Sequence, residues 1–97
     1  MDTEAKKIYN GLRDVIDFEL GLDVVALGLI RDVVVGEDTV EITMILTSPM
    51  CPMASFMMNQ VRERAAELTD KAVEVRFGTQ RWTKEMMEQD ARDALGI

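Results

Sequence analysis

Cys51 is the single cysteine of a 97-residue chain that holds no histidine. Those two counts define the chemistry within reach. Without imidazole there is no Ser–His–Asp or Cys–His pair, no His-ligated zinc and no imidazole base. One thiol closes no intramolecular disulfide and supplies no four-thiolate metal site. Cys51 follows a strand-like run and precedes Pro52, a residue suited to a first helical turn. The positive end of a helix dipole favours thiolate and lowers the thiol pKa. A soft, accessible thiolate suits metal, iron–sulfur or sulfur-transfer work. The competing reading is a buried structural cysteine, because free Cys is among the most buried residue types.

Other residues near Cys51 in sequence bear on the same site. Thr47 and Ser48 precede it by four and three positions, so their hydroxyls can share its pocket, or serve only as turn and cap residues. Asp17, Glu19 and Asp23 form an acidic loop that can bind a hard cation, line a pocket or simply be solvated. Met44, Met50, Met53, Met57 and Met58 surround Cys51 along the chain. Thioethers beside a thiolate can hold Cu(I), but Met44, Met53 and Met57 fall on apolar faces, where Met fills irregular core gaps. Core packing is the stronger account. Trp82 stands in a loop and is read as a plug at the core edge rather than a partner anchor.

The elements that would position these residues follow from periodicity. Ile8, Leu12, Val15 and Ile16 share one stripe of a helix expected from Thr3 to Ile16. Asp17 to Asp23 breaks that pattern as a loop. A β-branched run, Leu29 to Val35, and an alternating run, Thr39 to Thr47, flank the turn-like Gly36-Glu37-Asp38 and predict an antiparallel hairpin. For the first of these strands, either choice of inward face buries a charge or exposes apolar side chains. Ser48 to Pro52 interrupts the chain before a helix from Met53 to Leu68, with Met53, Phe56, Met57, Val61, Ala65 and Leu68 apolar. A strand from Ala72 to Phe77 turns Val73, Val75 and Phe77 inward, and a last helix runs from Thr83 to Leu95 with Gly96 as its stop. The middle β-α-β unit has the length of a right-handed crossover. The expected fold is therefore α/β in the α+β sense, in α-β-β-α-β-α order, with a small mixed three-stranded sheet packed with helices. Residues 1–97 read as one domain.

Eleven basic against eighteen acidic residues leave a net charge of −7, with no basic patch and few aromatics, so nucleic-acid binding is disfavoured. No apolar signal region follows the first charged residues, and no apolar run approaches the ~20 residues of a membrane span. A cytoplasmic protein with a reduced thiol is expected.

Four segments together carry a resemblance. Leu27-Gly28-Leu29-Ile30-Arg31-Asp32-Val33, Leu46-Thr47-Ser48-Pro49-Met50-Cys51-Pro52, Trp82-Thr83 and Ala91-Arg92-Asp93-Ala94-Leu95-Gly96 resemble the metal–sulfur cluster biosynthesis family. That family includes SufT-type assembly factors and PaaD-type proteins of phenylacetate degradation. The likeness runs from Val15 to Gly96. It implies a compact α/β domain and an accessory, non-enzymatic role in iron–sulfur cluster assembly or maturation. Carried over by position, Cys51 matches the motif cysteine, Thr47 its hydroxyl residue, and Asp17 with Glu19 its acidic pair. Three positions depart from the pattern: Phe18 stands where the family usually has proline, Met50 where glycine is common, and Gln80-Arg81 where proline often occurs.

On this reading Cys51 contacts a transient iron–sulfur cluster or iron, and Thr47, Asp17 and Glu19 shape its pocket. A single thiolate needs a second copy of Cys51 in a homodimer, partner thiolates or a small thiol to complete a cluster. The partners implied are iron–sulfur scaffold, carrier or client proteins. Two other functions compete: a PaaD-like component supporting a multisubunit oxygenase through protein contacts, and a small thiol redox protein.

Overall fold

The computed structural model describes residues 3–18, 20–47 and 53–97. Helix α1 spans Thr3–Gly11 and buries Ala5 and Ile8. It ends at Gly11 rather than Ile16, because Leu12–Asp14 tighten into a 3-10 turn and Val15 is extended. Arg64 Nε satisfies the Gly11 carbonyl at 3.1 Å, closing an end that would otherwise leave orphan acceptors. Leu12 and Val15 still reach the core, as their stripe predicted, but Ile16 is exposed.

The expected loop after it is a small hairpin. Strand β1 (Ile16–Asp17) pairs antiparallel with β2 (Leu22–Asp23), and Gly21, at φ 72°, makes the reversal. Asp23 is therefore a structural residue: its Oδ2 accepts the Ala26 N–H at 2.9 Å.

Strand β3 (Ile30–Val35) pairs antiparallel with β4 (Thr39–Met44), and β5 (Ala72–Phe77) lies parallel to β4 on its other side. The order β3-β4-β5 is the expected mixed sheet. Between Ile30 and Asp32 the register slips by one residue, so Ile30 and Val33 both point inward while Arg31 and Asp32 face solvent. That bulge is why simple alternation assigned no inward face to this strand.

Helix α2 (Ala54–Glu67) forms the crossover. Met57, Val61 and Ala65 join Ile8, Leu12, Ile30, Val33, Val40, Ile42 and Met44 in one core on the helical side of the sheet. Met53, Phe56 and Phe77, read as core positions, are instead exposed. They sit at element ends, where periodicity continues but the neighbouring layer does not. The last helix is also shorter than expected. A 3-10 turn, Lys84–Met86, precedes α3 (Gln89–Leu95). Extended backbone at Met87 and Glu88 lets Met87 enter the core and Glu88 N–H bond Ala26 O at 2.9 Å. Gly96, at φ 73°, ends α3 in the left-handed conformation.

Candidate functional site

Cys51 and Glu19 lie outside the described residues; the site is built from their neighbours. β4 ends at Met44, Thr47 follows half-buried, and the described chain resumes at Met53, one residue before α2 begins. A cavity of about 390 Å³ opens here, lined by Ile45, Leu46, Ala54, Phe77, Gln80 and Arg81 among others. It sits beyond the carboxyl ends of the parallel pair β4 and β5, the usual location of ligand sites in such sheets. The residues leading into and out of 48–52 thus share one wall.

The acidic loop reaches the same end of α2. Phe18, between Asp17 and Glu19, packs on Phe56 of the first helical turn with ring centroids 5.9 Å apart and planes tilted by 33°. Phe56 follows Cys51 by five residues. A second groove of about 330 Å³ runs beneath this contact, between Asp14, Ile16 and Phe18 on one wall and Glu63, Arg64 and Glu67 of α2 on the other. Arg64 is held there by Asp14 at 2.8 Å. Asp17 is the one charged side chain that is buried among the described residues, at 5% exposure. Burying a carboxylate is costly unless it is satisfied, so Asp17 is a built part of this corner and not a solvated loop charge.

The methionines divide by environment. Met44 and Met57 are buried in the core and Met58 packs against it, while Met53 is exposed. Met44 and Met57 take the packing role expected of them; Met53, expected on an apolar face as well, does not, and Met50 lies outside the described residues. Among the described residues no three His, Cys, Asp or Glu side chains are grouped to hold a metal ion.

Several other motif residues meet at one joint. Trp82 Nε1 donates to Leu27 O at 2.7 Å, and Arg31 donates to Gly28 O at 3.1 Å and Gln80 Oε1 at 3.2 Å. Gly28 has φ 77°, and a Cβ placed on it would lie 2.2 Å from the Met86 carbonyl oxygen. Trp82 is thus the core plug, and the joint holds the loop carrying Gln80 and Arg81 over the cavity.

Residues 5–77 match the family described as iron–sulfur cluster assembly protein. The chain belongs to that family. It is 41% identical over 95 residues to the Fe-S protein maturation auxiliary factor YitW of Bacillus subtilis, covering 95% of this chain and 93% of that one. It is 42% identical to the Fe-S protein maturation auxiliary factor SufT of Staphylococcus aureus, over 86% of this chain and 98% of the relative. A crystal structure of a domain of unknown function from Bacillus anthracis superposes with a TM-score of 0.90 at 39% identity, covering 97% and 92% of the two chains.

Phe18 and Gln80 have local roles: the Phe18 ring packs on α2, and Gln80 gives Arg31 an acceptor. The residues sequence reasoning overlooked are Phe18, Phe56, Gln80 and Arg81. Phe18 was visible as a large apolar side chain between two acids, Phe56 as an apolar helix position, and Gln80 and Arg81 only as departures from the resemblance.

Proposed function

We propose that this chain is an accessory factor in iron–sulfur protein maturation, with Cys51 supplying one thiolate to a cluster or iron handled as cargo. Thr47, Asp17 and Glu19 shape the pocket around that sulfur. The observation that carries the reading is the Phe18–Phe56 contact. It supports a shared site by holding the acidic loop against the helix turn that follows the cysteine segment, in a family named for cluster assembly.

The chain acts without turnover chemistry of its own. A conventional cluster takes four thiolates, and this sequence offers one, so a scaffold, carrier or client protein completes the coordination during hand-over. The free thiol suits a reducing compartment such as the cytoplasm.

Anaerobic reconstitution with iron and sulfide, alone and with a cluster carrier, tests the reading. Wild type with the carrier develops cluster absorbance that Cys51→Ser abolishes or halves, with unchanged circular dichroism. Identical spectra for both proteins would overturn the role of Cys51. Recovery of oxygenase subunits, and no cluster proteins, in affinity capture would overturn the maturation role in favour of the oxygenase-supporting one.

A further inference from the structure

The outer edge of β5 is an open strand. It is the last strand of the order β3-β4-β5, and among the described residues nothing pairs with it. Its six residues, Ala-Val-Glu-Val-Arg-Phe, include no proline and no lysine, and their register with β4 is unbroken. Sheets usually blunt such edges. The opposite edge, β3, does so with its bulge and the charged pair Arg31 and Asp32.

The hydrogen-bond phase of β5 is settled at both ends. Ala72 N–H donates to Asp38 O at 3.1 Å and Gly78 N–H donates to Met44 O at 2.8 Å. Even-numbered residues therefore bond β4, and the N–H and C=O groups of Val73, Val75 and Phe77 face outward. An antiparallel copy of the same strand, centred on Val75, meets this phase. Val75 opposes Val75, and Val73 opposes Phe77, in hydrogen-bonded pairs. Glu74 opposes Arg76 in the closer, non-hydrogen-bonded pairs, once on each side of the two-fold axis.

The side chains agree with this register. Glu74 stands beside Glu41 in the parallel pairing, a like-charge neighbour that an opposing cation offsets. Arg76 spends only its Nε on Thr43 Oγ1, at 3.3 Å. Phe77, 43% exposed, would be covered by Val73 of the second copy. A groove of about 330 Å³ bounded by Glu41, Arg62 and residues 73–76 leaves room along this edge.

We infer that β5 is a self-association edge: two copies of this chain join antiparallel through Val73, Val75 and Phe77 into one six-stranded sheet. The dimer has an isologous interface. Its two-fold axis points the carboxyl ends of β4 and β5 in opposite directions, so the two candidate sites lie apart. The inference does not depend on the maturation role and stands or falls separately.

Sedimentation equilibrium of the full chain in reducing buffer, from micromolar to submillimolar concentration, tests it. Wild type dimerises; Arg76→Glu and Glu74→Arg each weaken association roughly tenfold or more by converting two attractive cross-strand pairs into repulsive ones. The double exchange Glu74→Arg with Arg76→Glu restores it. In wild type, amide exchange at Val73, Val75 and Phe77 slows with rising concentration, while Glu74 and Arg76 are protected throughout. A monomer at all concentrations, or a dimer insensitive to both reversals, overturns the inference.

Discussion

Gly28 and Phe18 mark two kinds of residue that matter here. Gly28 is structural: its positive φ and the Met86 carbonyl 2.2 Å from any added Cβ leave no room for a side chain. Gly28→Ala should cost about 2–4 kcal/mol by urea denaturation, combining left-handed strain with displacement of a backbone segment. Phe18 is positional. It is 68% exposed, so its ring contributes little to the core, yet it meets Phe56. A double-mutant cycle of Phe18→Ala and Phe56→Ala should return a coupling of about 0.5 kcal/mol, the low end for aromatic pairs because both rings are wet. If the proposed hand-over role holds, Phe18→Ala should slow cluster transfer to a carrier protein more than it lowers stability, which separates positioning from packing.

Among the elements, the 3-10 turn after α1 and the approach to α3 are clamped by a single arginine. Arg13 makes a two-pronged contact with Glu88, at 2.7 and 2.9 Å, and lies 3.8 Å from Asp23. The hydrogen bond from Arg13 holds the Glu88 carboxyl below its ordinary value, against partial desolvation that pushes it up. Because the folded value is the lower one, the pair stabilises the fold above the ordinary carboxylate range. That contribution is lost as pH falls through the folded value. Glu88→Gln should therefore cost about 0.5 kcal/mol at neutral pH, discounted for exposure. Thermal melts should show the gap to wild type closing as pH drops below about 4. A gap that persists in acid would mean that Glu88 acts through packing or its backbone alone.

At the scale of the molecule, one core joins every large element, from Ile8 in α1 to Ala91 in α3, within a radius of gyration of 12.9 Å. Trp82 reports on that core through its bond to the Leu27 carbonyl. We expect one cooperative unit: far-ultraviolet circular dichroism and Trp82 fluorescence should trace coincident urea transitions. Calorimetry should give a single peak near 60–70 kcal/mol, about 0.7 kcal/mol per residue. Two resolved transitions would divide residues 1–97 into separate units. No helix among the described residues is long and apolar enough to cross a membrane.

The sequence by itself determined the β-α-β crossover, the bounds of β5 and the buried stripe of β4, because those depend on local periodicity and turn residues. It also carried the family's motif segments and the solitary thiol. Tertiary structure alone decided the rest. Arg64 and the Leu12 turn end α1 before Ile16, and the bulge at Arg31 reorients β3. Entry of Met87 into the core shortens the last helix, and Phe18 reaches across to Phe56. Each of these trades a local preference for a contact between residues far apart in the chain, and no window of sequence contains both partners. The candidate site divides the same way. Its proposed residues, Cys51, Thr47, Asp17 and Glu19, were named from the motif segments and the resemblance they carry. That the acidic loop meets the helix following the cysteine required the fold, because only packing brings residue 18 to residue 56.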